Sequence, residues 1–349
     1  MGKVLAIALS LKICLPTPYL KIPLLLLPDS TDATEQIKAQ ALTLGFHKVG
    51  IAAVDSAAAP TTVSDPNRTG LQAWLTQGYQ AQMQWMATPK RQDIQQVMPT
   101  VRSLICVALN YYTPLVRPEG RQYGKISRYG WGRDYHRVLQ RKLKAFSTWL
   151  EGLDPGVQTR YYADTGPIQD KVWAQRAGLG WIAKNSNLIT REYGSWVFLG
   201  EILTNLTLQP DPPHTAHCGT CRRCIDACPT AAIVQPFVVD ANRCIAYHTI
   251  ENRAATLPGA IAPHLQGWVA GCDICQDVCP WNQRFASETD IPDFQPYPQN
   301  VAPPLTELAT LSDQEYQQRF PASALRRIKP EMMRRNARAN LTPNSLADP

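Results

Sequence analysis

The chain has 349 residues, 44% of them hydrophobic, and a formal net charge of +7. That is enough for one large domain or two ordinary ones with buried cores, which excludes disorder as the default reading. Ten cysteines, eight of them between Cys218 and Cys279, exclude a disulfide scaffold spread through a short secreted chain, and no apolar run approaches the ~20 residues of a membrane-spanning helix.

In chain order, residues 1–30 carry Lys3 and an apolar run broken by Lys12, Pro16, Pro18, Lys21 and Pro23, with no small-residue cleavage site. They are predicted to be a disordered extension, not a signal peptide. Residues 31–208 alternate helical and extended stretches, which predicts an α/β or α+β domain. Asp32 to Leu44 reads as a helix, opened by the capping-box spacing Asp32-Ala-Thr-Glu35 and stopped by Gly45. Lys48 to Val54 and Ser103 to Leu109 read as strands. Asp134 to Glu151 is an amphipathic helix, with Val138, Leu139, Leu143, Phe146 and Leu150 on one face. A strand from Val157 to Ala163 leads into Asp164-Thr165-Gly166-Pro167 and then a helix from Ile168 to Ala177. Residues leaving a strand for a loop are well placed for chemistry. The proline-rich run Gln209 to Pro213 predicts a linker into a cysteine-rich module, 209–290, and a basic segment follows at 291–349.

Charge is unevenly spread. Arg117 to Lys144 holds nine Lys/Arg against Glu119 and Asp134, and Arg319 to Arg338 holds seven against Glu331. Two cationic segments on an otherwise acidic body suit a polyanion, although solvated helix faces give the same pattern.

Cys218, Cys221, Cys224 and Cys228-Pro229 form the C-x2-C-x2-C-x3-C-P run of two-cluster ferredoxins, and Cys272, Cys275 and Cys279-Pro280 nearly repeat it, with Cys244 between. Three thiolates of a run wrap one cluster and the fourth reaches the other. The spacing therefore assigns one [4Fe-4S] cluster to Cys218, Cys221, Cys224 and Cys279, and a second to Cys228, Cys244, Cys272 and Cys275. Zinc also uses C-x2-C pairs, but the three-residue gaps and Cys-Pro endings favour iron–sulfur. Cys14 and Cys106 read as apolar fillers. Gly178 to Asn185 approaches a phosphate loop but lacks the needed Gly and Ser/Thr; no dinucleotide fingerprint or haem motif occurs.

Ile126-Ser-Arg128-Tyr-Gly-Trp-Gly-Arg133-Asp134-Tyr-His136, Asp164-Thr-Gly-Pro167, Ala177-Gly-Leu-Gly-Trp-Ile-Ala-Lys184-Asn185 and the cysteine module together resemble the epoxyqueuosine reductases over roughly Thr31 to Arg338. That resemblance implies a base-off cobalamin in the N-terminal domain, reduced through the clusters, and reduction of epoxyqueuosine to queuosine at the wobble position of tRNA. Asp134-Tyr-His136 begins like the Asp-x-His-x-x-Gly cobalamin motif, but Leu139 stands where Gly is required, so a histidine lower ligand is not indicated. Asp164 matches the family's proton donor, a role that asks its surroundings to keep it protonated; the alternative is that it caps the following helix. The resemblance offers Asp164, the Leu188 and Leu199 main chains, Cys272, Asp273 and His248 to the corrin, while Lys184 and Asn185 serve the cofactor or a turn. Arg128, Arg133, Arg326, Arg327, Arg334 and Arg335 are expected to contact tRNA phosphates. A cytoplasmic monomer fed by a separate electron donor completes the expectation. Two alternatives remain, a reductive-dehalogenase-like corrinoid enzyme and a ferredoxin-type electron carrier.

Overall fold

The computed structural model describes residues 30–54 and 66–342. The N-terminal extension and Cys14 lie outside these described residues. The first helix, α1 (Ser30–Thr43), starts before Asp32 and places that residue inside its first turn. Gly45, at φ +78°, ends the helical run as predicted.

Four antiparallel strands form the main sheet: β1 (Lys48–Ala53), β2 (Ser103–Asn110), β3 (Thr159–Tyr162) and β4 (Val197–Thr204), in the order β1-β2-β4-β3. The all-antiparallel pairing makes the domain α+β. Residues of β2 are buried throughout, because both sheet faces are covered. Ile51, Ile105, Val107, Leu109 and Ile202 pack beneath α1 and the helix α2 (Tyr135–Glu151), whose Val138, Leu139, Leu143, Phe146 and Leu150 are buried as its periodicity predicts. On the opposite face, Ala52, Leu104, Cys106, Ala108 and Leu203 pack against Trp173, Ala174 and Ala177, which belong to or directly follow α3 (Asp170–Arg176). Gly50 lets α3 come this close: a Cβ there would stand 2.0 Å from the Ala177 carbonyl oxygen.

The proline-rich run is not a free linker. Asp211 exchanges main-chain contacts with β1, its Oδ2 accepting from the Ile51 amide (2.8 Å) and its amide donating to the Ile51 carbonyl (2.9 Å). Lys38 on α1 adds an ion pair to Asp211 (2.7 Å). The cysteine-rich stretch that follows is built from turns and short helices, including α4 (Ile245–Ile250), which Cys244 precedes as N-cap residue. The basic C-terminal segment packs as a core of its own: helix α5 (Pro330–Leu341) buries Met332, Met333 and Ala337 against Ile126, Trp131 and Val269. A parallel pairing of Lys125–Ile126 with Trp268–Ala270 stitches the N-terminal domain to this region.

Candidate active site

At the end of β3 the chain turns through Ala163 and Asp164, and the β3–β4 pairing stops at Tyr162–Glu201. Beyond that point Leu199 on β4 has no strand partner on this edge among the described residues. Asp164 adopts φ +61°. Its Oδ2 accepts from the Tyr135 hydroxyl (2.8 Å) and is bonded to His136 Nε2 (3.1 Å). His136 Nδ1 reaches Asp134 Oδ1 (2.7 Å), which also accepts from the His136 amide as the N-cap of α2. Tyr135 is fixed by stacking on Phe198, centroids 4.1 Å apart, and on His136 at 4.0 Å. Arg91 holds the loop from behind, donating to the carbonyls of Ile168 and Gly166 (both 2.8 Å). Gly166 is required there because a Cβ would meet the Tyr162 ring at 2.4 Å.

This geometry removes the capping alternative, since α3 begins at Asp170 after the N-cap Gln169 and Asp164 caps nothing. It also corrects the expected ionisation. Burial alone raises the Asp164 carboxyl, but hydrogen bonds from His136 and Tyr135, with the charges of His136 and Arg327, hold it below the usual carboxylate range. Burial likewise works against a charged His136, yet its bonds to Asp134 and Asp164 push it up to about 9. These directions favour an ion pair of Asp164 with a protonated His136. The sequence reading did not single out Arg91, Tyr135 and His136 as partners of the Asp164 loop. The clue was available: His136 lies two residues past the helix cap, on the turn facing the Asp164 loop.

A second carboxyl pair lies under the same loop. Glu201, fully buried on β4, and Asp170, the first residue of α3, have carboxyl oxygens with no donor among the described residues. Burial raises both, with the Asp164 charge adding to Asp170 and the Asp170 charge to Glu201, so the pair is held toward its protonated forms.

The eight cysteines fall into two neighbourhoods. The Cys224 thiol, pushed up to about 11 by burial, feels Cys279, Cys218 and Cys221. Burial also raises Cys275 and Cys272, and both feel Cys244; Cys275 feels Cys228 too and, from the first group, Cys224, and Cys244 in turn feels Cys228. The turn between the paired strands Trp181–Ile182 and Leu188–Ile189 holds both groups together. There Lys184 Nζ donates to the carbonyls of Gly219 (2.6 Å) and Cys221 (2.9 Å), and Asn185 Nδ2 donates to the carbonyl of Cys275 (3.2 Å). Lys184 and Asn185 thus brace the cysteine loops. Lys171 Nζ is bonded to the Ser186 carbonyl and Asn187 Oδ1 (both 3.0 Å), and burial lowers it against the opposing pull of Cys275, Asp170, Asp164 and Cys244.

Other expected corrin contacts are differently placed. The Asp273 carboxylate is buried and already accepts from Ser127 Oγ, Arg117 Nη2 (3.1 Å) and the Arg128 amide (2.8 Å), leaving only its main chain to offer. His248 uses both ring nitrogens within the protein, on the Asn242 carbonyl and the Asn252 side chain. Leu188 is buried and Leu199 lies at the open edge of β4.

The arginines divide as well. Arg128 is 13% exposed and stacks among the rings of Trp131 (4.8 Å), Trp196 (5.3 Å) and Tyr112 (5.5 Å). Arg335 spends its donors on the carbonyls of His248, Asn252 and Ala254. Arg334 is tied to Asp313 (2.7 Å), and Arg133 pairs with Asp293 (3.2 Å) while staying 41% exposed. Arg326 and Arg327 are exposed, Arg327 bonded through two nitrogens to Glu251 (2.6 and 3.1 Å).

An α+β domain that presents an acid–imidazole pair beside two thiol groups has the layout of an iron–sulfur oxidoreductase. Residues 217–282 match the family described as "4Fe-4S double cluster binding domain", which sets zinc aside, and residues 91–165 match "Epoxyqueuosine reductase QueG, DUF1730". An epoxyqueuosine reductase of Synechocystis sp. is 65% identical over 280 residues, 80% of this chain and 97% of that protein. One from Atelocyanobacterium thalassa is 57% identical over 308 residues, 88% of this chain and 99% of that protein. A crystal structure of epoxyqueuosine reductase with an epoxyqueuosine-modified tRNA-Tyr stem loop superposes with TM-score 0.81 at 31% identity, covering 89% of this chain and 81% of that one. The chain belongs to the epoxyqueuosine reductase family, and these identities set aside the dehalogenase-like and carrier alternatives.

Proposed function

We propose that this chain binds tRNA carrying epoxyqueuosine at the wobble position and reduces the epoxide to the alkene of queuosine, consuming two electrons and two protons and releasing water. The observation that carries the reading is the Asp164 carboxylate, held by His136 and Tyr135 where the β3–β4 pairing ends.

Cys218, Cys221, Cys224 and Cys279 hold one [4Fe-4S] cluster, and Cys228, Cys244, Cys272 and Cys275 the other. Their two thiol neighbourhoods and the double-cluster match support this division. Base-off cobalamin would sit beside Asp164, where the Leu199 main chain and the Cys272–Asp273 main chain supply polar groups and the imidazoles of His136 and His248 are already bonded within the protein. When bound, it supplies a strongly reducing cobalt centre to the epoxide. The chain's own part is the proton: His136 Nε2 holds it, Asp164 Oδ2 receives it, and Asp164 delivers it to the departing oxygen. Asp134 keeps the imidazole oriented and basic enough to be charged at neutral pH. Closure of the Asp164 loop suits this role, and a Bacillus subtilis epoxyqueuosine reductase has been seen with its catalytic-aspartate loop swung out of the active site. Arg133, Arg326 and Arg327 remain the phosphate contacts. Among the described residues no helix is long and apolar enough to cross a membrane, and the nine described cysteines are all free, as the reducing cytoplasm requires. There the chain works as a monomer served by a separate electron donor.

The test is anaerobic reconstitution with iron, sulfide and cobalamin, followed by reduction and nucleoside mass spectrometry of epoxyqueuosine-tRNA. Queuosine should accumulate. A preparation carrying both clusters and corrinoid that leaves the epoxide intact would overturn the reading.

A further inference from the structure

A groove of about 850 Å³ runs between the loop at 253–263 and helix α5, away from the acid site. Leu257, Met332 and Ala339 give it an apolar floor, and Arg253, Arg334, Arg335 and Arg338 stand around it against one carboxylate, Glu331. The inward donors of three of these arginines go to uncharged groups: Arg253 to the Arg327 carbonyl (3.2 Å) and the Met332 sulfur, Arg338 to the Ala309 carbonyl (3.1 Å), and Arg335 to three carbonyls. Among the described residues none of the three is bonded to a carboxylate. Burial and the adjacent Arg253 charge both disfavour the charged form of Arg335, so cations are crowded here without compensation. An uncompensated guanidinium cluster over an apolar floor is suited to phosphodiester and sugar, since Arg forks match phosphate oxygens.

The groove is also connected to the chemistry. Arg253 bonds the carbonyl of Arg327, and the Arg327 charge acts on Asp164. Arg327, itself paired with Glu251, is thus a neighbour of the groove through Arg253 and acts on the acid loop. We infer that the groove seats backbone phosphates of the substrate tRNA a few nucleotides from the one being reduced, with Arg253 and Arg338 as its contacts. This rests on the proposed function and adds a second anchoring point to it.

The test compares the cluster-loaded parent with the double variant Arg253→Gln/Arg338→Gln and with Arg253→Lys/Arg338→Lys, using a tRNA transcript bearing the cognate anticodon. In the Gln pair the slope of log affinity against log salt should fall by about 0.7 to 0.9 for each lost phosphate contact. The Lys pair should keep the parent slope, and a matching iron content and circular dichroism spectrum establish that all three are folded. An unchanged salt slope in the Gln pair would overturn the inference, as would unchanged tRNA affinity with a raised KM for a reduced acidic flavodoxin, which would make the groove a donor-docking surface. Because the readout is binding of the transcript, a parent that binds tRNA but does not reduce epoxyqueuosine would defeat the proposed function without touching the groove.

Discussion

Asp164 sits at φ +61°, a region that costs a residue other than glycine about 1 kcal/mol or more and that Asp and Asn tolerate best. The conformation aims its carboxylate at His136 and Tyr135 instead of at the amides of α3. Asp164→Asn keeps the size and the backbone preference and removes the acid. It should retain both clusters while conversion of epoxyqueuosine-tRNA falls by about 10²- to 10⁴-fold, measured as queuosine formed per loaded enzyme; turnover within a few-fold of the parent would remove Asp164 from the chemistry. The proton on His136 sets the pH dependence. Its folded value near 9 lies above the unfolded value of about 6.5. The stability it contributes is therefore complete below pH 6.5 and lost as pH rises through about 9, and the rate should decline over the upper part of the same window. His136→Gln should lower turnover by about 10²-fold at pH 7 and abolish that alkaline decline. A pH–rate profile with the parent's alkaline limb intact would show that the proton comes from elsewhere.

Among the elements, α2 and the sheet follow directly from their patterns, because an amphipathic stripe or an apolar run has one way to bury itself. Boundaries shift where local signals compete. The capping-box spacing at Asp32 falls inside α1, whereas the box the chain does use is Ser312 with Glu315, at the start of Asp313–Arg319. The hairpin turn at Lys184 and Asn185 shows how one element serves another: its side chains reach the carbonyls of Gly219, Cys221 and Cys275 and so pre-set both cysteine loops. Within those loops, Cys244 reaches its group from the N-cap of α4 and belongs to the Cys228, Cys272 and Cys275 neighbourhood. Cys244→Ala should cut the iron content to about half and leave the spectroscopic signature of the other cluster. If the surviving cluster instead depends on Cys272 and Cys275, the pairing is wrong.

At the scale of the whole molecule, the basic C-terminal segment does two jobs. Arg335 satisfies three carbonyls, one within α4 and two just after it, and thereby fastens α5 to the cysteine-rich stretch. Arg326 is exposed and bonds only Gln317. Arg335→Gln should therefore destabilise the fold by about 1 to 3 kcal/mol, the cost of stranding partly buried acceptors. Arg326→Gln should leave the unfolding midpoint unchanged and weaken tRNA binding. Denaturant titration of each variant separates the two; equal midpoints would return Arg335 to the surface set.

The cysteine runs, the amphipathic helix and the apolar strands were legible in the sequence because each is a local pattern whose spacing matches one geometry: cluster ligation at two and three intervening residues, helix at 3.6, strand at two. The charge state of Asp164 was not legible, nor were the ring stacking of Arg128, the saturation of Asp273 and His248, or the groove at Arg253. Several depend on distant partners, such as His136 for Asp164, 28 residues away, and Ser127 for Asp273, 146 residues away, and others on how a loop folds back on itself, as for His248 with Asn242 and Asn252. A side chain's proton affinity and accessibility are set by what the fold packs around it, and only the tertiary structure decides that.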